Sequence, residues 1–506
     1  MSDDFVTIAE RVAEAVLEAN PELASDAGDH RFDGRLPDFS ADGVARDVAM
    51  LREASAALSQ VDDDALGAQE RVDYEVLMSL VDRLLFEHTE VREHEWNPLA
   101  HNPGTFLHAL ISRPYAPVAQ RLESLAERLE AIPDTLATAR ATLVECPRIH
   151  LETAQGQFAG TAGLIAGEVP RLLAEAPALA GRVEPAAERA RAALDEFGGW
   201  LGARLAEGGP GRDPRLGRRL WEARLWHTLD TGLTAAEVMS RAEATLERVS
   251  GELREAAAGL TGGPATDETV RVALDRLADD HPDNTSIVDL AKHSLDEATE
   301  FVRAFELVSL IDDPCVIQEM PEFARGVAVA YCDPPGALET TEVPTFYCIS
   351  PAPGDWSPER ITSFYREYND HMVRNLTVHE AMPGHFLQLA HARRYRGSTR
   401  VRSLGWSGPF VEGWAVYAEE LMADSGFGGA PVRLQQLKMQ LRCTLNAIID
   451  QLVHCDGLTE DDAMALMTGR GFQEEGEAAG KWRRALLTST QLSTYFVGYV
   501  EVAAIG

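Results

Sequence analysis

Long segments rich in Ala, Leu, Arg and Glu fill this 506-residue chain from Asp4 to about Phe305. Apolar residues recur at helical spacing in 120–129, 185–205 and 235–260, and clusters of Gly and Pro separate the segments. These four residue types are strong helix formers, so the pattern predicts a helical scaffold half over residues 1–310. We find no repeat of fixed period, and a solenoid is therefore not supported.

The pattern changes near Asp312, where Pro, Val, Tyr and Cys become more frequent. Apolar and polar residues alternate in 326–331 and 343–349, which predicts two or three short strands between about 315 and 350. Helical spacing returns after Ser357. We expect a mainly α protein, a large helical body with a small β-sheet beside the helices of the second half, residues 311–506. A cleft between the two halves is expected.

Composition excludes several classes of partner. The chain has 46 basic and 81 acidic residues, a net charge of −35, and such a surface repels nucleic acid and anionic membranes. The N-terminus carries acidic residues where a signal peptide has basic ones, and no apolar run is long enough to span a membrane. The six cysteines are dispersed without CxxC spacing, as in reduced cytosolic proteins. We predict a cytoplasmic location and leave the oligomeric state open.

The segment with the clearest chemistry is His379-Glu-Ala-Met-Pro-Gly-His385. Two imidazoles and a carboxylate are the groups with which zinc hydrolases hold a metal and activate water. Six residues of regular helix would turn the second histidine about 240° away from the first and about 9 Å along the axis, too far for shared coordination. Pro383-Gly384 permits a break in the helix, and we expect it to return His385 to His379.

A third ligand is expected 27 residues after His385, at Glu412. This residue opens an apolar, aromatic helix, where a carboxylate is costly unless it is paired or bound to a metal. Two histidines and a downstream glutamate form the ligand set of gluzincin-type metallopeptidases. At the far end of the helix, Glu419 and Glu420 are expected to be solvated. The alternative for Glu419 is a contact with a metal ligand, since it shares the face of Glu412.

The segments HEAMPGHFLQ, EGWAVYAEE and Tyr331-Cys-Asp-Pro-Pro-Gly336 resemble a bacterial family named domain of unknown function 885. Its members look like gluzincin-type zinc peptidases. Weaker similarity near Asp29-His-Arg-Phe and Gln491-Leu-Ser-Thr-Tyr extends the resemblance over nearly the whole chain.

This resemblance implies one zinc ion held by His379, His385 and Glu412, with Glu380 as the general base. Tyr495 is similar to the tyrosine that stabilises the oxyanion in helical metallopeptidases. A buried aromatic residue without a catalytic role is the alternative for Tyr495.

Three polar residues of one predicted helix, Arg442, Asp450 and His454, lie within about 120° of one another around its axis. Arg442 is a candidate for binding a substrate carboxylate, which favours carboxypeptidase or dipeptidase action, and His454 is a candidate oxyanion donor. A structural Arg–Asp pair is the alternative. The strand ending at Tyr331 is a candidate edge for binding an extended peptide, with a core strand as the alternative.

We therefore predict a zinc-dependent hydrolase that cleaves peptide bonds of short peptides, with metal-activated water and a glutamate base. One alternative is a metal-dependent amidohydrolase acting on small amides or amino-acid conjugates, since the same site cleaves other C–N bonds. A second alternative is a helical scaffold, with or without metal, that catalyses no reaction. Glu380 argues against the scaffold, because it suits a base better than a ligand.

Overall fold

The computed structural model describes residues 2–209, 211–320, 329–354 and 356–505. The first eight helices are α1 Ser2–Ala19, α2 Pro21–Ala27, α3 Ala41–Leu58, α4 Ala68–Phe86, α5 Gly104–Ser112, α6 Val118–Thr142, α7 Arg148–Leu173 and α8 Ala180–Glu207. Next come α9 Arg218–Leu229, α10 Ala235–Thr261, α11 Asp267–Ala278, α12 Ile287–Phe305, and the strands β1 Cys315–Glu319, β2 Ala330–Asp333 and β3 Thr345–Ile349. The remaining helices are α13 Pro358–Glu367, α14 Asp370–Glu380, α15 His385–Ala392, α16 Val401–Leu404, α17 Gly408–Asp424, α18 Gly429–Asp456, α19 Glu460–Ala465, α20 Glu475–Leu487 and α21 Ser493–Ala503.

These elements confirm the prediction of a mainly α protein with a small sheet. Within the described residues, no helix is both long and apolar enough to cross a membrane. All six cysteines are free thiols, in agreement with the expectation from their spacing.

The chain divides into two compact units. The first contains residues 1–214, 335–343 and 393–406, and the second contains 215–334, 344–392 and 407–506. This division differs from the predicted boundary at 310 and 311, because α9 to α12 belong to the second unit. The reason is packing: Val238, Leu246 and Leu253 of α10 share one apolar core with Leu441 and Ile448 of α18.

In the first unit, apolar residues form two cores. One lies among α5, α6, α7 and α8, where Leu122, Phe158 and Phe197 are fully buried. The other lies among α1 to α4 and α16. The long helices pack through one apolar face each, as their periodicity predicts.

In the second unit, the three strands form a sheet in the order β1-β3-β2. Strand β3 is parallel to β1 and antiparallel to β2, so β2 lies at an edge. The predicted strand 343–349 is confirmed as β3. Of the predicted strand 326–331, residues 326–328 lie outside the described residues, and β2 begins at Ala330.

The helices that carry the candidate site begin at defined caps. The Asn369 side chain accepts hydrogen bonds from the backbone N–H groups of His371 and Met372 and starts α14. Ser407 accepts from the N–H of Phe410 and starts α17. Such caps satisfy N–H groups that have no partner within the helix, and they fix where each helix begins.

Candidate metal centre

The helix carrying His379 ends immediately after it. Helix α14 stops at Glu380, Ala381 leaves helical dihedral angles with φ −130° and ψ −71°, and α15 begins at His385. The N–H of Gly384 donates to the carbonyl of Val378 at 3.0 Å. A Cβ at Gly384 would lie 1.9 Å from the carbonyl oxygen of His379, so this turn requires glycine. The predicted break in the helix is confirmed.

The break brings the two histidines together. Their ring centroids lie 4.7 Å apart at an interplanar angle of 84°. Glu412 approaches from α17, with its Oε2 3.4 Å from Nε2 of His379 and 3.6 Å from Nε2 of His385. One ligand atom from each residue lies within 4.8 Å of the other two. The three predicted ligands therefore converge on one point.

The donor set fits a zinc ion. Two imidazole nitrogens and one carboxylate oxygen are a common three-ligand set for catalytic zinc. Among the described residues, the Oε2 of Glu412 and the Nδ1 of His385 have no hydrogen-bond partner, although both atoms are buried. Burial opposes ionisation of Glu412, but the interactions with His379 and His385 outweigh it and lower its pKa. An anionic oxygen thus faces two imidazoles across a gap.

A further carboxylate orients His379. Oε1 of Glu419 lies 2.6 Å from Nδ1 of His379, and the Asn375 amide donates to Oε2 of Glu419 at 2.6 Å. Since a carboxylate accepts a hydrogen bond from Nδ1–H, the neutral ring that a metal would require has its Nε2 lone pair on the side of Glu412. Burial disfavours the charged ring of His379, but Glu412 and Glu419 raise its pKa well above the ordinary value.

The expectation that Glu419 and Glu420 are solvated is wrong for Glu419. Its side chain is 1% exposed, because α14 and α18 cover this face of α17, and the alternative of a contact with His379 holds. Glu420 is half-buried and accepts a hydrogen bond from the hydroxyl of Tyr499 at 2.8 Å. The sequence signal for Glu419 was its position seven residues after Glu412, on the same helix face.

Glu380 lies beside the cluster and is buried. Burial raises its pKa, while the charges of His385 and His379 oppose this rise. The backbone N–H of Cys332 donates to its carboxylate, which brings the edge strand β2 next to it. The predicted peptide-binding residue Tyr331 is the neighbour of Cys332 in β2 and is half-buried. Its hydroxyl contacts the thiol of Cys348 in β3.

Tyr495 approaches from α21, which packs closely on α17. A Cβ on Gly413 would lie 2.1 Å from the carbonyl carbon of Gly498, so both helices need glycine where they cross. The Tyr495 hydroxyl accepts hydrogen bonds from Arg484 at 3.2 Å and Gln491 at 3.4 Å. Burial and the charge of Glu412 raise its pKa to about 12. Tyr495 is therefore within electrostatic range of Glu412.

The structure contradicts the role predicted for His454. Its Nε2 donates to the carbonyls of Ala485 and Thr488 at 3.0 and 2.9 Å, and its Nδ1 accepts from the N–H of Leu216 at 3.3 Å. Both nitrogens join backbone segments, and burial lowers the pKa. Helix α18 passes the site at Cys443, since the pKa of this thiol is raised by burial and by Glu419. His454 lies about 16 Å further along that helix, at 1.5 Å per residue.

Arg442 is not available to bind a substrate carboxylate either. Its guanidinium forms an ion pair with Glu477 and contacts the hydroxyl of Tyr368 at 3.3 Å. The alternative Arg–Asp pair is also wrong, because Asp450 accepts hydrogen bonds from Trp221 at 3.2 Å and the Ser493 hydroxyl at 2.8 Å. The shared helix face was predicted correctly, but α9, α20 and the segment before α21 cover it.

Sequence reasoning missed Arg484 and Lys481, which lie on α20 near Tyr495 and Cys443. Helix α20 has an ordinary amphipathic composition, and nothing in its pattern marks these two basic residues. Arg484 and Lys481 come near the site only because α20 packs on α18 and on the segment around Tyr495.

Comparison with known proteins gives a family and a fold. Residues 21–505 match a family model described as "Bacterial protein of unknown function (DUF885)". No curated protein matches. One solved structure, "a putative lipoprotein of unknown function from Shewanella oneidensis", is 29% identical with a TM-score of 0.82 and covers 99% of this chain and 92% of that chain. A second, a "putative lipoprotein from Colwellia psychrerythraea", is 14% identical with a TM-score of 0.78 over the same shares.

Proposed function

The chain belongs to the DUF885 family of bacterial proteins, and on this premise we propose that it is a zinc-dependent peptidase acting on short peptides. One observation carries the proposal: the ligand atoms of His379, His385 and Glu412 converge within 4.8 Å of one another. Buried Glu380 lies beside them, and burial raises the pKa of its carboxyl group. A location in the cytoplasm stays a prediction.

His379, His385 and Glu412 are the residues that would hold the ion. Zinc bound there supplies a water of lowered pKa and polarises a carbonyl group. Glu419 keeps His379 in the tautomer with Nε2 free, and Asn375 holds Glu419 in place. Asn375 and Glu419 are each 1% exposed and are more buried than the three ligands, so they hold His379 in place before a substrate arrives.

Glu380 is the general base of this proposal. It takes the proton of the attacking water and delivers it to the leaving amine. Burial raises the pKa of Glu380, so its carboxylate is a stronger base than a solvated glutamate. The N–H of Cys332 fixes the position of its carboxylate.

Tyr495 is the proposed hydrogen-bond donor to the oxyanion that forms at the scissile carbonyl. With a pKa of about 12 it keeps its proton at neutral pH. Arg484 and Gln491 donate to its oxygen and hold the phenol in position. This leaves the phenolic proton free to point at the developing negative charge.

Hydrolysis by zinc-loaded protein tests the proposal. The panel contains short peptides together with N-acyl amino acids, and the variants are Glu380→Gln and the exposed control Glu359→Gln. We expect peptide cleavage by the wild type and the control. In Glu380→Gln, kcat/KM falls by about 10²- to 10⁴-fold, the usual contribution of a general base.

Zinc content separates the outcomes of this experiment. Glu380→Gln is expected to keep its zinc, since Glu380 is not a ligand. Cleavage of N-acyl amino acids alone would favour the amidohydrolase alternative. Zinc-loaded wild type that cleaves nothing, or Glu380→Gln with unchanged activity, would contradict the proposal.

A further inference from the structure

We propose that Arg484 and Lys481 bind the C-terminal carboxylate of the substrate, so that the enzyme is a carboxypeptidase releasing one or two residues. This inference rests on the proposed function and adds the class of peptide that the same site accepts. It replaces Arg442, the residue predicted from the sequence to bind a carboxylate, with two other cations of the second unit.

Arg484 is half-buried, and its guanidinium has no carboxylate partner among the described residues. Its Nη2 donates to the amide oxygen of Gln491 at 2.8 Å and to the Tyr495 hydroxyl at 3.2 Å. Both acceptors are neutral. A guanidinium has five N–H donors in a planar fork that matches a carboxylate, so most of its donor capacity remains available.

Lys481 is buried, with 5% of its surface exposed, and its ammonium forms no hydrogen bond or ion pair with any residue that the structure describes. An ammonium that has lost most of its contact with water is stabilised by an anionic partner. Burial, Arg442 and Arg484 together hold the pKa of Lys481 well below its usual value. A bound anion would supply the missing partner.

The local charge is positive although the chain as a whole is strongly acidic. Lys481 lies within the electrostatic range of Arg442 and Arg484, and Glu477 acts on all three residues, while Glu367, which also acts on Arg442, is paired with Lys438. Glu477 already forms an ion pair with Arg442 and accepts a hydrogen bond from Tyr368. Arg484 and Lys481 form no ion pair of their own with a described carboxylate, although Glu477 acts on both of them at longer range, and a bound carboxylate would supply such a pair.

Tyr495 interacts with both Arg484 and the predicted metal ligand Glu412. Arg484 donates to the Tyr495 hydroxyl, and the charge of Glu412 acts on the same phenol. If Tyr495 donates to the scissile carbonyl, a carboxylate on Arg484 lies about 6–8 Å from that carbonyl, given ordinary hydrogen-bond lengths. At about 3.3–3.6 Å per extended residue, one or two residues separate the carboxylate from the cleaved bond.

Paired peptides test the inference. Each N-acetylated peptide is supplied with a free C-terminal carboxylate and as the C-terminal amide. A third arm carries a C-terminal glutamate amide, whose carboxylate is on the side chain. The proteins are wild type, Arg484→Gln and the matched control Arg483→Gln, which changes the exposed neighbouring arginine. We measure kcat and KM for each arm.

We expect wild type and Arg483→Gln to prefer the free acid over the amide by about 10- to 100-fold in kcat/KM, the size of a charge-assisted hydrogen-bond pair. Arg484→Gln loses that preference through KM. If Arg484 only positioned Tyr495, the variant would lower kcat for acid and amide equally, and the inference would be wrong. A wild type that prefers the glutamate amide over the free acid would assign the site to a side chain instead.

Binding gives a readout independent of turnover. In the Glu380→Gln background, calorimetry with N-acetyl-Ala-Ala and its amide should show about tenfold or greater preference for the acid, and loss of it with Arg484→Gln. Equal affinity for acid and amide overturns the inference. Acid-selective binding in a protein that hydrolyses no peptide would support the carboxylate site and contradict the proposed function.

Discussion

His30 in the first compact unit and His379 in the second each lie between two carboxylates, yet the two clusters differ in what remains unpaired. Nδ1 of His30 is 2.9 Å from Asp33, and its Nε2 is 2.8 Å from Glu339. His379 has a comparably short contact only at Nδ1, with Glu419 at 2.6 Å. Its Nε2 is 3.4 Å from Glu412, across the gap that His385 shares.

The cluster around His30 is closed. The two oxygens of Asp33 accept hydrogen bonds from Ser25, His30 and Tyr115, and the rings of His30 and Tyr115 stack at 3.5 Å. Each of these polar groups has a protein partner, which is what a buried structural network requires. A histidine between carboxylates is therefore not enough to indicate a metal site. The site also needs nitrogen and oxygen atoms that face one another and have no hydrogen-bond donor within the protein.

The largest effect is expected from a substitution that removes a ligand from the His379 cluster and leaves the His30 cluster unchanged. His385→Ala removes one of three protein ligands, and we expect zinc affinity to fall by about 10³-fold or more. Competition with a chromophoric chelator measures the dissociation constant. His30→Ala is the matched control, since its ring is already occupied by Asp33 and Glu339. Equal zinc affinity in both variants would remove the distinction between the clusters.

Asp33→Ala should lower the stability of the protein and leave its zinc affinity unchanged. Removing this carboxylate leaves His30, Tyr115 and Ser25 without their shared partner, and we expect a loss of about 3 kcal/mol in the free energy of unfolding. Thermal unfolding measures the change, with Asp38→Ala as control, because its exposed ion pair with Arg46 is worth less than about 1 kcal/mol. Zinc affinity should stay at the wild-type value; a loss of zinc would make Asp33 part of a metal site.

A smaller effect is expected from the carboxylate behind His379. Glu419→Gln keeps the shape of the side chain but removes the charge that accepts from Nδ1–H, and zinc affinity should fall by about 10- to 100-fold. Glu420→Gln, its half-buried neighbour, is the control and should bind zinc as tightly as wild type. Identical affinities in the two variants would leave Glu419 with a packing role alone.

The smallest effect is a pH dependence in the closed cluster. Burial disfavours the charged form of His30, but hydrogen bonds with Asp33 and Glu339 raise its pKa above 6.5 in the folded protein. A raised pKa adds stability that is fully present below the unfolded value and disappears as pH rises through the folded value. The loss of melting temperature in His30→Gln should therefore be larger at pH 6 than at pH 9. A constant difference would mean that folding does not raise the pKa of His30.

The convergence of His379 and His385 was predictable because both lie in one short segment. Pro383 and Gly384 favour a break in the helix, and the structure shows that this break places His385 beside His379. Glu412 was found from the cost of a carboxylate in an apolar helix. In these cases local sequence determines the geometry, and the structure agrees.

Arg442 and His454 were misread because their environment comes from distant segments. Helical periodicity shows correctly that they share a face, but not which helix covers that face. Helix α20 supplies Glu477 to Arg442, and the end of the same helix supplies the carbonyl acceptors of His454. The same packing places Arg484 beside Tyr495, a contact between residues that no local pattern connects to the ligands. The boundary between the units was misplaced for the same reason, since α10 packs on α18.

Zinc-edge anomalous diffraction from crystals of the protein tests the central claim most directly. We predict one anomalous peak per chain, between Nε2 of His379, Nε2 of His385 and the carboxylate of Glu412, and no peak at His30. No peak after incubation with zinc, or a peak at the closed cluster instead, would contradict the account.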